Sequence, residues 1–396
     1  MSKVLFLVAD GMAGWPLDIL GGRTSLAAAH TPTMDTLARS SRCGRCQTVP
    51  EGMAPGSDVA NMALLGYDPR QHHTGRGPIE AAAQGLRLAP DDLVWRMNLV
   101  TVSKLTPTGI MRDYSSGHIS TQTATPLVAR LAEIAQDGIF TPVPGIQYRH
   151  LLVQKNGATT PAATLAIRPP HDILDQSIDE DLRAFASFPE MDAFIRRAHA
   201  FLANEPSSTA TSIWPWGQGR PLNLPDFHQR RGLRGAVVSA VDLVKGLGRA
   251  AGMEVADVPG ANGLIDTNYE GKVQAALEFL TRGDFVYVHV EAPDECGHMG
   301  DADLKRQSIE LFDQRIVAPV LDALRDTDAT IVITCDHFTP VVRRTHTVDP
   351  VPFLVHRTRV PSPDGPSAFT EDTAAASGLF LPHGEDLMAL ALESAS

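Results

Sequence analysis

The stretch Val4-Leu5-Phe6-Leu7-Val8-Ala9-Asp10 decides the fold reading: six apolar residues stopped abruptly by a carboxylate. Two further runs have the same form. Phe285-Val286-Tyr287-Val288-His289-Val290 is followed by Glu291-Ala292-Pro293-Asp294, and Thr330-Ile331-Val332-Ile333-Thr334-Cys335 by Asp336-His337. Short, near-continuous apolar runs suit strands buried on both faces of a parallel sheet. Helical spacing lies between them, over Thr33 to Ala38, Lys272 to Leu280 and Leu304 to Arg325, where Leu311, Phe312, Ile316, Val320 and Leu324 read as core. Alternating strands and helices predict an α/β fold with a doubly wound, mainly parallel sheet. Ligands of such sheets gather beyond the carboxyl ends of the strands, where all three runs place an Asp.

Working outward, the middle of the chain changes character. From about Leu86 to Asp175, Pro and Gly are frequent, with strand candidates at Val94–Val102, Tyr148–Gln154 and Thr164–Ile167 and one helix at Pro126–Gln136. This predicts a smaller inserted α+β cap domain over 86–175, between a first part at 1–85 and a second at 176–396. Leu233 to Ser239 reads as the return to the sheet, and Ser362 to Ser367 as an exposed loop. Length agrees: 396 residues suit two domains or one large unit with an insertion.

Composition narrows the function. The formal net charge of −12 argues against a nucleic-acid or anionic-membrane partner, which rewards clustered Lys and Arg. No apolar run approaches a membrane helix, and the N-terminus lacks the pattern of a secretory signal, so a cytoplasmic location is expected. Four cysteines are too few for a disulfide scaffold. Cys43 and Cys46 make a Cys-x-x-Cys pair without a matching second pair, and read as two small residues in a turn.

Fourteen histidines direct attention to metal and proton chemistry. Metal-type ligands occur at Asp10, at Ser57 and Asp58, at Asp294 and His298, at Asp336 and His337, and at His346. Two divalent ions a few ångströms apart need such a mixed set. Asp with His favours Mn²⁺ or Zn²⁺ over Ca²⁺, with Mg²⁺ or Co²⁺ as alternatives. Ser57 follows a Pro-Gly turn and opens a short helical stretch, so it is either a helix N-cap or a nucleophile whose hydroxyl a metal would activate. His72 and His73 read as solvated loop residues.

Several motifs then occur in order: Val8-Ala-Asp-Gly-Met-Ala13, Pro55-Gly-Ser-Asp-Val-Ala-Asn61, Gly66-Tyr-Asp-Pro69, Thr74-Gly-Arg-Gly-Pro-Ile-Glu-Ala81, Trp214-Pro-Trp-Gly-Gln-Gly219, Ser239-Ala-Val-Asp-Leu-Val-Lys-Gly246, His289-Val-Glu-Ala-Pro-Asp-Glu295 and Asp336-His-Phe-Thr-Pro340. Through them the sequence resembles, over nearly its whole length, the archaeal-type cofactor-independent phosphoglycerate mutases of the alkaline phosphatase superfamily. The resemblance implies two divalent metals, one held by Asp10, Ser57, Asp336 and His337, the other by Asp294, His298 and His346. It also implies a phosphoserine on Ser57, a cap closing over the site, a small phosphorylated metabolite as substrate, and no need for 2,3-bisphosphoglycerate.

The match weakens at one segment. Where the mutase branch has a stretch of the kind Asp-Arg-Arg-Ala-Gly-Arg, this chain has Asp113-Tyr-Ser-Ser-Gly-His118. That variant resembles a second branch proposed to act as homoserine kinase. Candidate substrate contacts are Arg76, Arg112, His118, Arg149 and Lys245, with Asp113 as a proton relay or a turn cap. Three readings follow: a phosphoglycerate mutase, a homoserine-type phosphotransferase, or a metal-dependent phosphatase or inactive relative.

Overall fold

The computed structural model describes residues 2–135, 138–360 and 365–393. The end of the cap helix at Gln136 and the first half of the expected loop, 362–364, lie outside the described residues. The chain divides into two compact units, Met1–His73 with Asn223–Ser396, and Thr74–Leu222.

The first unit is built on an eight-stranded sheet in the order Phe380–Leu381, Arg42–Cys46, Val351–Arg357, Ala329–Thr334, Lys3–Ala9, Phe285–Val290, Gly235–Val238 and Glu254–Ala256. The five strands from Ala329–Thr334 to Glu254–Ala256 run parallel, and Val351–Arg357 is antiparallel to its two neighbours. Residues 4–9, 285–288 and 329–334 are within 1% of complete burial, so helices cover both faces, as the continuous β-branched and aromatic runs require. Lys3–Ala9 lies between the other two runs, with Val8 opposite both His289 and Thr334. Three parallel neighbours therefore end at one sheet edge, which brings Asp10, Asp294 and Asp336 to the same place.

The second unit is a five-stranded antiparallel sheet centred on Leu93–Val102, which pairs with Met111–Asp113, Arg149–Gln154 and Ser212–Gly219. One face carries Trp95, Met97 and Leu99, which pack in one core with Leu127, Val128 and Leu131 of the helix Thr121–Ile134. The unit is wider than the 86–175 read from sequence. Helices Asp179–Ala186 and Pro189–Leu202 bury Phe185, Phe194 and Ile195 in that same core, and Ser212–Gly219 supplies a strand. Their ordinary amphipathic pattern gave no mark of which sheet they cover.

Two local expectations are corrected. Thr164–Ile167 is no strand: Pro161 starts a 3₁₀ turn through Thr164, and Leu165 N donates to Ala162 O. Cys43 and Cys46 sit in the strand Arg42–Cys46, not a turn. Three residues apart in a strand they point to opposite faces, and each thiol meets a different carbonyl, Ala38 O at 3.8 Å and His383 O at 3.5 Å.

The long helix read at 304–325 runs Ala302–Phe312 and Ala318–Ala323, joined by a π turn at Asp313–Val317. Asp313 in that turn is 2% exposed, and its carboxylate accepts from Thr33 N at 3.2 Å and Met34 N at 2.7 Å, at the start of helix Pro32–Ala38. These satisfy amides that the short helix cannot bond itself. Asp313→Ala should lower unfolding free energy by about 1–3 kcal/mol in a urea titration; an unchanged midpoint would show that water replaces the carboxylate.

Candidate metal centre

The sheet edge gathers Asp10, Ser57, Asp294, His298, Asp336, His337 and His346, but not Asp58, of the residues read from sequence as metal-type ligands. Asp10 follows its strand directly and is 1% exposed. Its Oδ1 lies 3.5 Å from His337 Nε2 and its Oδ2 3.1 Å from His289 Nε2. Asp336, fully buried, accepts from Gly11 N at 3.1 Å, from His337 N at 2.9 Å and from Asn61 Nδ2 at 2.8 Å. The third carboxylate comes from the helix Ala292–Met299, where the i, i+4 spacing puts Asp294 Oδ2 3.1 Å from His298 Nε2. His346 Nε2 lies 3.4 Å from Asp294 Oδ1 and 2.9 Å from His298 Nε2. Two sets of donor atoms converge to within 4.8 Å of one another: Asp294, His337 and His346, and Asp10, His289 and Asp336.

Ser57 is the first residue of helix Ser57–Leu64, and Gly56 is its N-cap. The Ser57 hydroxyl therefore caps nothing; it lies 3.1 Å from His337 Nε2. The main chain at Ser57 is held by Asn61, whose amide donates to Ser57 O at 2.9 Å and to Asp336 Oδ2, while Tyr287 OH donates to Asn61 Oδ1 at 2.6 Å. Asp58 belongs to a different contact: it meets His73 Nε2 at 2.8 Å, so His73 is paired and not simply solvated.

The electrostatics are those of a crowded buried site. Burial, with the neighbouring Asp336 and Asp294 carboxylates, raises the Asp10 carboxyl well above its usual range. Burial opposes ionisation of Asp294 as well, but hydrogen bonds with His298 and His346 prevail and hold it well below that range. The Asp294 contact lifts His298 to about 9, and burial drops His289 to about 4. Two fully buried lysines flank the centre. Lys272 Nζ donates to His289 O at 2.9 Å; Lys305 Nζ donates to Thr339 O at 2.7 Å and Ala13 O at 3.2 Å. Thr339 in turn donates through Oγ1 to Asp294.

Divalent cations fit these residues. Asp10 Oδ1 is buried and, among the described residues, has no hydrogen-bond partner. Two imidazole nitrogens 2.9 Å apart beside one carboxylate also share a single focus. Sequence reading missed His289, Thr339, Asn61 and the two lysines. The one signal was the polar His289 within an otherwise apolar strand.

Most of the substrate residues read from sequence lie in the second unit. Asp113 closes a turn: its carboxylate accepts from Ser115 N and Oγ at 2.7 Å each and from Gly117 N at 2.6 Å. Partial burial raises its pKa, but these bonds outweigh it and leave the carboxyl below its usual value. The turn holds Ser116, Gly117 and His118 in succession at φ near +50° to +72°. Arg112 pairs with Asp175 on the surface at 3.0 Å. Arg149 lies 5.8 Å from the Tyr148 ring centre, and Arg76 begins helix Arg76–Ala83. Arg96, missed from sequence, is half-buried, 3.0 Å from Glu80 and 4.4 Å over Trp216. In the first unit, Lys245 on helix Asp242–Ala250 meets Asp257 at 3.5 Å.

Fold and site together define an α/β protein with a buried Asp, His and Ser centre of the kind that holds divalent cations at a sheet edge. A model of the 2,3-bisphosphoglycerate-independent phosphoglycerate mutase family matches residues 38–208. The chain is 44% identical to the enzyme of that name from Methanothrix thermoacetophila, over 98% of this chain and 99% of the relative. It is 44% identical to that from Methanosarcina mazei, over 99% and 100%. A solved protein from Pyrococcus horikoshii superposes with a TM-score of 0.83 at 28% identity, covering 100% of this chain and 97% of that one. The cofactor-independent phosphoglycerate mutase from Thermoplasma acidophilum superposes at 0.68 with 26% identity, covering 100% of both. The chain belongs to the 2,3-bisphosphoglycerate-independent phosphoglycerate mutase family. Family and donor set together imply divalent metal ions.

The buried lysines give a pH signature. Burial lowers Lys305 to about 8, against ~10.4 in an unfolded chain. Between those values the unfolded state binds more protons, so stability rises with pH. In metal-free protein, unfolding free energy should climb from about pH 8 to 10, by up to ~3 kcal/mol from this group. Lys305→Met should flatten that slope, leaving Asp294, Glu371, Cys296 and Cys335 in place; equal slopes would mean that Lys305 keeps its ordinary pKa.

Proposed function

We propose that this chain interconverts 2-phosphoglycerate and 3-phosphoglycerate by way of a phosphoserine on Ser57. The observation that carries the reading is the Ser57 hydroxyl, free of any capping role and 3.1 Å from His337 Nε2 within the ligand cluster. Asp10, Ser57, Asp336 and His337 would hold one cation and Asp294, His298 and His346 the other, Mn²⁺ or Zn²⁺ by ligand chemistry, with Mg²⁺ or Co²⁺ as alternatives. Bound there, such ions supply Lewis acidity that lowers the pKa of the Ser57 hydroxyl and offsets phosphoryl charge.

The chain's own groups do the rest. Ser57 Oγ bonds to phosphorus as the bond from phosphorus to the donor oxygen of the substrate breaks. The reverse transfer to the other hydroxyl breaks the bond to Oγ, so phosphate is conserved. The amino end of helix Ser57–Leu64 favours negative charge at this point. Asn61 holds Ser57 and Asp336 in mutual register. Lys245 is assigned to the phosphoryl group. Arg76, Arg112, Arg149 and His118 are assigned to the substrate carboxylate, with Asp113 shaping the turn beside them. The second unit carries most of the side chains assigned to the substrate.

The named relatives favour the mutase, and the homoserine kinase alternative gains nothing from them. Among the described residues no helix is long and apolar enough to cross a membrane. A small phosphorylated metabolite is the partner that the mutase reading requires, and four free, buried cysteines fit a cytoplasmic location.

The metal-loaded protein should convert 3-phosphoglycerate to 2-phosphoglycerate, and should not phosphorylate homoserine from ATP. Chelation should abolish turnover and Mn²⁺ restore it. Ser57→Ala should lower kcat by roughly 10³-fold or more. Turnover of homoserine without 2-phosphoglycerate would replace the substrate assignment; full activity of Ser57→Ala would remove the phosphoserine.

A further inference from the structure

The cross-strand register of the second unit sets Arg96 opposite Trp216, and the guanidinium lies 4.4 Å over that ring. From there a line of rings continues edge to face. His171 is 5.4 Å from Trp216 and 6.2 Å from Tyr114. Tyr114 is 5.5 Å from Tyr148, where Arg149 closes the line at 5.8 Å. Hydrogen bonds fix its middle: Trp216 Nε1 donates to Asn98 Oδ1 at 3.0 Å, and Asn98 Nδ2 donates to Tyr114 O at 3.0 Å. Trp216 is buried while the His171 side chain is 46% exposed, so the line runs from the interior to the surface.

The charge at its inner end is poorly compensated. Burial strips hydration from the Arg96 guanidinium; Glu80, 3.0 Å away, restores part of the loss, but Arg76 and Arg149 oppose it. A cation in such a surround gains more from an anion than one in water does. The anion it suits is flat. A guanidinium fork takes both oxygens of a carboxylate, and either tautomer of His171 has a ring N–H to add.

We propose that Arg96 and His171 are specificity-determining residues for the substrate carboxylate, Arg96 through its fork, held over Trp216, and His171 through its ring N–H. The inference rests on the mutase reading, in which Ser57 takes the phosphoryl group and the carboxylate of phosphoglycerate is the charge left to be held. Arg149, at the outer end of the line, adds positive charge to the same site. An acceptor bearing an ammonium beside its carboxylate meets the repulsion of these cations, so the same residues select against an amino acid.

Metal-loaded parent, Arg96→Met, Arg96→Lys and His171→Phe are compared as full-length proteins, with thermal melts to confirm folding. KM and kcat are measured for 3-phosphoglycerate. Glycerol 3-phosphate, which has the phosphate without the carboxylate, serves as a competitive inhibitor. Arg96→Met and His171→Phe should each raise KM roughly 10–100-fold, the worth of a hydrogen bond to a charged group, while kcat falls by less. Arg96→Lys, which keeps the charge and loses the fork, should recover part of that rise. The inhibition constant of glycerol 3-phosphate should stay at the parent value in every variant. Parent-like KM in either Arg96→Met or His171→Phe would overturn the proposal. So would an equal weakening of glycerol 3-phosphate, which would make the loss general and not a matter of the carboxylate. His171→Phe, at a half-exposed position and with the ring contacts kept, carries the test should Arg96→Met not fold. A parent that leaves 3-phosphoglycerate unchanged would overturn the mutase reading and this inference with it, and that is seen before any substitution.

Discussion

Three carboxylates share one buried edge: Asp10, Asp294 and Asp336 are 1%, 5% and 0% exposed. Like charges out of water repel strongly, and each loses its hydration. The structure around them answers that repulsion. Asp10 is driven toward its neutral form while Asp294 and Asp336 are held ionised by imidazoles and amides. Lys272 and Lys305 are buried against main-chain carbonyls, with no carboxylate within ion-pair distance among the described residues. A buried ammonium that is not ion-paired is costly. Its use here is to hold the two backbone segments that carry His289 and Thr339 while adding positive potential to a site crowded with negative charge. Divalent cations would complete the same compensation by displacing the protons that Asp10 and His298 favour without them.

This constraint also explains what could be read from the sequence. Strand ends are visible, because an apolar run must stop where the chain leaves the sheet, and a carboxylate marks the stop. Asp10 and Asp336 were legible in this way. Asp294 was legible through its i, i+4 partner His298. Once the three runs are neighbours in a parallel sheet, convergence follows from topology. Residues inside elements were not legible. His289 lies within its strand, and Lys272 and Lys305 lie in helices that carry other charged residues, so each looks like a tolerated exception or a solvated face. Only the packing shows that they face the site. Of the two readings of Ser57, cap or nucleophile, the cap falls to Gly56, in extended backbone at φ −174°, which leaves the hydroxyl out of that role.

The second unit was less legible for a different physical reason. Its boundaries are set by which core the helices cover, and a helix with one apolar stripe does not say which sheet it will meet. The Asp113–His118 segment shows the same effect in miniature. By composition it had lost its cations, which weighed toward a different acceptor. In the fold, Asp113 closes a left-handed turn, and His118 is set edge-on to Tyr114 and Tyr148, at 6.4 and 6.2 Å. Cations of this unit come instead from the sheet strands and a helix start. Arg96 and Arg149 flank aromatic faces that restrict their guanidinium groups, which lowers the entropy lost on gripping an anion.

The division of chemistry between the units bears on how the two readings of the family resemblance can share one scaffold. In the proposed reaction the Asp, His and Ser set would answer the charge that any phosphoryl transfer develops, whatever hydroxyl receives the group. Nothing in that set recognises a carboxylate or an amine. On that proposal acceptor choice would reside in side chains that can change without disturbing the buried edge, such as those of the turn at Asp113–His118. A lost arginine there weakens the contact it made and leaves the transfer centre intact. The sequence of that turn is thus evidence about affinity for the acceptor and not about the reaction type, which is why the intact ligand set and the family relationship outweigh it.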